Sequence, residues 1–204
     1  DNVLGNTGRH AMFIDTGDGT LTVTGNTILS TLDETGILLT QVGALSTLQF
    51  TIADNSVSNA HDYGMWISCN AGTLTGTVRD NHVAQTGAHG VYLTTDFTGT
   101  ATLRLAGNRI SGSGQNAIMA STSQNSVLNV TLENNTTVDT SWNLSIYLWT
   151  DAHWGGSPTI RADVRGNSLD WRIWLMRDAG TSFYCVDPAQ AGANPILEAH
   201  ISAI

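Results

Sequence analysis

The sequence predicts an all-β solenoid in which short strands stack coil upon coil within a single domain. Its composition favours strands joined by tight turns, because the 204 residues include 21 Gly but only 3 Pro, with many Thr, Asn and Ser between short apolar segments. Six segments also repeat one pattern, in which an alternating strand ends at an Asn and a further short strand follows. These residues recur every 26 to 32 positions and are Asn26, Asn55, Asn81, Asn108, Asn135 and Asn167.

A third strand follows each Asn segment after a variable turn and usually begins at a small residue. The copies are residues 36–40, 64–68, 90–94, 117–121, 145–150 and 172–177, and residues 11–16 form a seventh copy at the start. Three short strands per repeat cannot bury a face alone, so successive repeats stack with equivalent strands about 4.8 Å apart. We expect about seven coils over residues 1–186 and a C-terminal tail or cap over residues 187–204.

This arrangement resembles the right-handed parallel β-helix of pectate-lyase-like proteins over nearly everything from residue 3 to about residue 186. The resemblance implies a single-stranded right-handed parallel β-helix (solenoid), whose second and third strands meet at a two-residue corner. That corner holds a stacked Asn ladder in a left-handed conformation, and Asn tolerates positive φ better than other residues with a Cβ. The fold carries lyases, hydrolases, epimerases, adhesins and structural fibres alike, so the resemblance leaves the function open.

Period-two alternation sorts each predicted strand into an inward and an outward set. In the Asn segments the inward set is aliphatic and the outward set is mostly Thr, which is typical of a solvated sheet surface. In the small-residue strands, one large residue points outward between two inward residues in each of seven coils. At about 4.8 Å per coil, this aromatic row is roughly 29 Å long. Its members are Phe13, Leu38, Trp66, Tyr92, Met119, Tyr147 and Trp174.

A contiguous apolar row on a surface usually marks an interface, and three interpretations stay open. In the first, long turns such as residues 139–143 and 151–158, or the C-terminal tail, fold over the aromatic row and make it a second core. In the second, another protein chain covers the row. In the third, a glycan lies along it with sugar rings stacked on the aromatic members. Pectate-lyase-like enzymes have their substrate groove on the equivalent sheet, and this resemblance favours the third.

The charge of the chain argues against some partners. The formal net charge is -9, only 12% of residues are charged, and all eight basic residues are Arg. Nucleic acids and anionic membranes are held mainly by clustered Lys and Arg, so we expect neither as a partner. No apolar run approaches the roughly 18 residues of a membrane span. We expect no cofactor and no metal site, although the acidic balance leaves Ca²⁺ open.

Candidate catalytic groups lie in the turns that precede three successive small-residue strands. Glu34, Asp62 and His89 fall just before these strands, so stacking brings them to one edge of the aromatic row. The resemblance implies lyases that use Ca²⁺ with an Arg or Lys base, and hydrolases that use clustered Asp. No motif accompanies the three residues, and solvated turn positions are the favoured interpretation. Asp54 and Asp80 precede ladder Asn in adjacent coils, and we expect them to cap the turns.

The cysteines and the two ends add further expectations. Cys69 and Cys185 lie four to five coils apart, near 20 Å, so we expect two free thiols. Residues 3–6 look like the end of an Asn segment, so the chain enters the solenoid partway through a coil. We therefore expect either a longer parent chain or stacking on other copies of the same chain.

Together these features favour a non-catalytic extracellular or cell-surface protein with a structural, adhesive or filament-forming role. The expected partners of its exposed aromatic row are another chain or a polysaccharide. The alternative is a polysaccharide-active enzyme, a lyase, hydrolase or epimerase, that uses Glu34, Asp62 and His89.

Overall fold

The computed structural model describes residues 2–178, 181–186 and 197–201, with side chains described for residues 2–178 and 181. These residues form 21 strands and no helix. In chain order the strands are β1 (Val3–Leu4), β2 (Met12–Asp15), β3 (Gly19–Thr24), β4 (Thr27–Ile28), β5 (Ile37–Gln41), β6 (Thr47–Ala53), β7 (Ser56–Ser58), β8 (Met65–Cys69), β9 (Thr73–Arg79), β10 (His82–Thr86), β11 (Val91–Thr95), β12 (Thr100–Ala106), β13 (Arg109–Ser113), β14 (Ile118–Gln124), β15 (Val127–Glu133), β16 (Thr136–Val138), β17 (Leu144–Gly156), β18 (Thr159–Arg165), β19 (Arg172–Arg177), β20 (Ser182–Val186) and β21 (Leu197–Ile201).

The strands form three parallel sheets. The first sheet has the order β1-β4-β7-β10-β13-β16, the aromatic sheet β2-β5-β8-β11-β14-β17-β19-β21, and the threonine sheet β3-β6-β9-β12-β15-β18-β20. Up to β18 every third strand joins the same sheet, which is the arrangement of the expected right-handed parallel β-helix. About six turns are complete, slightly fewer than the seven predicted. The seventh lacks a strand in the first sheet, where Ser168 forms only an isolated bridge with Thr136.

One continuous core runs along the solenoid axis and is filled by inward aliphatic side chains from all three sheets. Ile52, Ile67 and Val83, one from each sheet, have no exposed surface. Gly76 occupies an inward position of the threonine sheet that period-two logic assigns to a large residue. A Cβ there would lie 2.1 Å from the ring of Phe50, so the Phe50 ring fills the space of both positions.

The six predicted Asn form a buried ladder at the corner between the threonine sheet and the first sheet. Each of the first five donates its side-chain Nδ2 to the Oδ1 of the Asn in the next coil at 2.9 to 3.0 Å. Asn2 adds a further rung by donating to Asn26. The expected left-handed conformation is wrong for the Asn themselves. Positive φ, between 54° and 69°, falls instead on the residues directly before them, which are Gly25, Asp54, Asp80, Gly107, Asn134 and Gly166.

This shift by one residue explains the roles of Asp54 and Asp80. Gly, Asp and Asn are the residue types that adopt left-handed backbone most readily, and they are the only types at this position in the six corners. The two carboxylates flank Arg79, whose Nη1 lies 2.8 Å from Asp80 Oδ2 and 3.8 Å from Asp54 Oδ2. Both residues thus shape a corner and share one cation, rather than forming a bare pair of like charges.

The ends and the cysteines are described in part. Residues 187–196 and 202–204 of the predicted tail lie outside the described residues, whereas Leu197–Ile201 adds a strand to the aromatic sheet beside β19. At the other end β1, β2 and β3 each pair on one edge only, and contact of that edge with another copy or a longer chain stays a prediction. Cys69 is buried with a free thiol, and the Cys185 side chain lies outside the described residues. No helix within the described ranges is long and apolar enough to cross a membrane.

Candidate functional site

The aromatic sheet places all seven members of the predicted row on adjacent strands and in register. The paired positions run in the order Phe13, Leu38, Trp66, Tyr92, Met119, Tyr147 and Trp174. Each side chain points outward because both of its strand neighbours point into the core, as period two requires. The row therefore follows the solenoid axis for about 29 Å, at about 4.8 Å per coil.

Exposure within the aromatic row is uneven. Phe13 is 59% exposed, whereas Leu38 and Met119 are only 7% and 6% exposed. The other four members, which are all aromatic, are partly exposed. Leu38 and Met119 each pair with larger aromatic members of the row in the coils on either side. The surface that solvent meets is consequently made by Phe13 and by two ring pairs, Trp66 with Tyr92 and Tyr147 with Trp174.

The polar atoms of three rings in the row are used within the protein. In each case the ring reaches diagonally to a side chain of the next coil, two residues beyond the row position. The contacts are Trp66 Nε1 donating to Thr94 Oγ1 at 3.1 Å, Tyr92 OH with Ser121 Oγ at 3.4 Å, and Tyr147 OH donating to Met176 Sδ at 2.9 Å. These contacts fix the ring positions and leave C–H and π surface towards solvent.

Tyr63 extends the row at its amino edge and is not among the residues that the repeat pattern predicts for this surface. It lies in the turn before β8, where strand periodicity says nothing about side-chain direction. Its ring centroid lies 5.5 Å from that of Trp66, 5.1 Å from Tyr92 and 5.6 Å from His89, on which it stacks. Burial raises the pKa of Tyr63, and the charge of Asp62 acts in the same direction. The three rings and the imidazole form one packed cluster rather than a cage around a space.

His89 is a structural member of this cluster. It is 8% exposed, and its Nδ1 accepts the backbone N–H of Asn116 at 3.3 Å. Burial lowers the pKa of His89 to about 4, so the imidazole is neutral near pH 7. A ring nitrogen that accepts a backbone N–H cannot at the same time take a proton from a substrate.

The other two catalytic candidates meet at one depression, of about 390 Å³, which Tyr63 and Trp66 also line. The carboxylate of Glu34 is engaged on both oxygens, with Arg9 Nη2 2.6 Å from Oε1 and His10 Nε2 2.6 Å from Oε2.

The contacts of each carboxylate limit what it can do. Hydrogen bonding from Arg9 and the charges of His10 and Arg9 hold the pKa of Glu34 below its ordinary value, against the opposing effect of burial. Asp62 has its Oδ1 3.0 Å from His61 Nδ1. His89 does not line the depression and stacks on Tyr63 instead. The structure thus brings two of the three candidates together, with Glu34 already paired. No group of three or more His, Cys, Asp or Glu within the described ranges is placed to hold a metal ion.

Exposed tryptophans extend the aromatic surface at the far end of the same sheet. Trp142 is 57% exposed, Trp154 71% and Trp171 43%, and they flank or end strands β17 and β19. The sequence could have indicated this extra aromatic surface, because five of the six Trp fall between residues 142 and 174.

Aromatic side chains are concentrated on and beside the aromatic sheet well beyond the row itself. Among the twelve Phe, Tyr and Trp whose side chains are described, Phe50 lies in the core and the other eleven lie on the aromatic sheet or in turns next to it. These eleven are Phe13, Tyr63, Trp66, Tyr92, Phe97, Trp142, Tyr147, Trp149, Trp154, Trp171 and Trp174.

Comparison with known proteins agrees with this architecture. Residues 1–137 match the family model described as the right handed beta helix region, which is more than half of the chain. No curated protein and no solved structure gives a significant match. On the repeat, the three parallel sheets and this match, the chain belongs to the right-handed β-helix family.

Proposed function

We propose that this protein is a non-catalytic extracellular or cell-surface β-helix protein whose aromatic row binds a glycan. The observation that carries the proposal is the concentration of aromatic side chains on one sheet. A fold that needed these rings only for stability would bury them in the core, where Phe50 is the single member among the twelve aromatic side chains that the structure describes. Ligand surfaces, by contrast, combine aromatic area with a few polar groups that fix orientation.

The chemistry of the aromatic row suits a sugar chain. A pyranose ring has apolar C–H faces and a polar rim, so it packs on an aromatic ring and needs hydrogen-bonding groups beside it. Small polar side chains occupy the neighbouring outward positions two residues on, where Thr40 and Ser121 are partly exposed and Ser68 and Thr94 are buried. The stacking surface and the polar groups therefore alternate along the same strands.

The size of the row favours a glycan over a protein partner. Outward positions on one strand are about 6.6 Å apart, so a row about 29 Å long presents roughly 200 Å². Stable protein interfaces bury about 800 Å² per partner, four times as much. A narrow, elongated aromatic strip matches the dimensions of an extended polysaccharide better than those of a globular surface.

The contacts of the catalytic candidates support a non-catalytic role. An acid or base needs a free lone pair or proton within reach of the ligand. Glu34 Oε1 accepts two hydrogen bonds from Arg9 and Oε2 lies 2.6 Å from His10 Nε2, while His89 is buried with Nδ1 occupied. A polysaccharide partner also supports the extracellular location, because such polymers are found mainly outside cells.

The test is replacement of a ring that contributes to the exposed surface. Trp66→Leu keeps an apolar side chain and removes the ring, and Leu29→Ser serves as the control because Leu29 is 48% exposed and lies away from the aromatic sheet. Affinity electrophoresis and calorimetry with a panel of soluble polysaccharides should give about tenfold weaker binding for the first variant, about 1.4 kcal/mol, and no change for the second.

Three results would contradict the proposal. Binding that survives Trp66→Leu and the equivalent Tyr92→Leu would remove the aromatic row from the site. Self-association that sedimentation detects and that Trp66→Leu abolishes would indicate a protein interface. Release of new sugar ends from a bound polymer would indicate an enzyme.

A further inference from the structure

The aromatic row runs between two acidic margins. One margin lies at the amino ends of the strands, in the turns before β5 and β8, and the other lies at or beyond the carboxyl ends of strands in the same sheet. The carboxylates of the first are Asp33 and Asp62. Those of the second are Asp15, Asp96 and Asp151, the last within the long strand β17, whereas the neighbouring Asp178 is buried. Glu34 also lies at the first margin, where Arg9 and His10 pair with it.

Nearby carboxylates raise the pKa of the tyrosines in and beside the row, after the larger effect of burial. Burial raises the pKa of Tyr92, and the charges of Asp96 and Asp151 push it in the same direction. Burial also raises the pKa of Tyr147 to about 12, with Asp178 and Asp151 contributing. At the first margin, burial raises the pKa of Tyr63 and the charge of Asp62 raises it further. Carboxylates on both sides therefore act on the same line of rings.

Cationic side chains near the row are few within the described part of the chain. Arg9 is bound to Glu34 through two hydrogen bonds, at 3.1 and 2.6 Å. Arg172 and Arg177 lie together at one end, in β19. Along the central coils, from β5 to β14, the outward positions carry apolar or aromatic side chains and small hydroxyls, with Asp33, Asp62 and Asp96 beside them, so an anionic sugar would meet repulsion there.

We propose that the glycan bound along the aromatic row is a cationic amino-sugar polymer, a chain of hexosamine units with free ammonium groups. This rests on the proposed function and names the class of its ligand. An ammonium group is attracted to the face of an aromatic ring and to a carboxylate beside it, and the row offers both along its length. A polyuronate would meet like charges at each margin, and a neutral polymer would gain from stacking alone.

The test compares three oligosaccharides of equal length at pH 6 by calorimetry: a fully deacetylated glucosamine oligomer, its N-acetylated form and an oligogalacturonate. We expect the deacetylated oligomer to bind at least tenfold more tightly than the N-acetylated one at low salt, with the difference shrinking as salt screens the charges. The oligogalacturonate should bind most weakly.

Charge variants separate the acidic margins from the overall charge of the protein. The double variant Asp62→Asn with Asp151→Asn should reduce the preference for the deacetylated oligomer several-fold. The control Asp54→Asn also removes a carboxylate, but from the ladder corner, where Asn134 shows that Asn fits the same backbone conformation. It should leave the preference unchanged.

The two proposals fail in different ways. If Trp66→Leu weakens binding of the N-acetylated oligomer while deacetylation brings no gain, the aromatic row binds glycans and the cationic class is wrong. Equal effects of the margin variant and the Asp54→Asn control would also overturn the cationic class, because they would indicate unspecific attraction. If Trp66→Leu changes binding of none of the three, both proposals are wrong.

Discussion

Replacing Asn81 by Ala removes one rung from the middle of the Asn ladder. The Asn81 Oδ1 accepts the backbone N–H of Asn55 at 2.9 Å, and its Nδ2 donates to the carbonyl of Ile52 at 3.0 Å and to Asn108 Oδ1 at 2.9 Å. Truncation leaves the buried N–H of Asn55 without an acceptor and the Ile52 carbonyl without this donor. Because an unsatisfied buried group costs about 1–3 kcal/mol, we expect the free energy of unfolding to fall by about 3–5 kcal/mol.

Urea unfolding followed by tryptophan fluorescence and far-UV circular dichroism measures this loss. The matched control is Asn2→Ala, which removes the outermost rung. Asn2 is exposed and its side chain donates to Asn26 Oδ1 at 2.9 Å, so the loss of this side chain should cost less than about 1 kcal/mol. A loss below about 1 kcal/mol for Asn81→Ala, or equal losses for the two variants, would refute the reasoning. Such a result would mean that the ladder follows the stacking of coils without stabilising it.

Two further predictions concern His89 and Gly76. The His89 pKa of about 4 lies below the unfolded value of 6.5, so below pH 6.5 protons favour the unfolded state. Stability should fall by about 2 kcal/mol between pH 6.5 and pH 5, and His89→Gln should remove that part of the slope; equal slopes would contradict it. Gly76→Ala places a Cβ against the Phe50 ring and should destabilise by about 1–3 kcal/mol. Adding Phe50→Leu should restore part of the loss, and strictly additive effects in this double-mutant cycle would show that the two sites do not share space.

Repetition explains why much of the fold could be predicted from the sequence. Equivalent residues of successive coils lie beside one another. The same pattern recurs in each repeat, so one repeat predicts the position of the equivalent residues in the others. The register of the aromatic row and the Asn ladder both follow from this. The misplaced left-handed residue illustrates the limit. The Gly, Asp or Asn before each ladder Asn carried the signal, but the Asn was the more conspicuous member of the pair.

The parts of the site that the sequence did not predict depend on contacts between coils. Tyr63 lies in a turn, and its direction is set by the rings of Trp66 and Tyr92 rather than by strand alternation. Leu38 and Met119 are outward by periodicity yet buried, because their exposure depends on the size of the neighbours above and below. Period two gives the side of the sheet on which a residue lies, but not how much of it solvent reaches.

The two buried members also divide the aromatic row into units. Leu38 separates Phe13 from the pair Trp66 and Tyr92, and Met119 separates that pair from Tyr147 and Trp174. Equivalent rings of the two pairs are three coils apart, about 14 Å. A linear ligand therefore meets two stacking platforms with a gap between them, and contact with the second becomes an intramolecular step once the first is occupied. The ladder and the core stabilise the coils from inside. The outward residue of the aromatic sheet can therefore change in type from coil to coil while the spacing between coils stays the same.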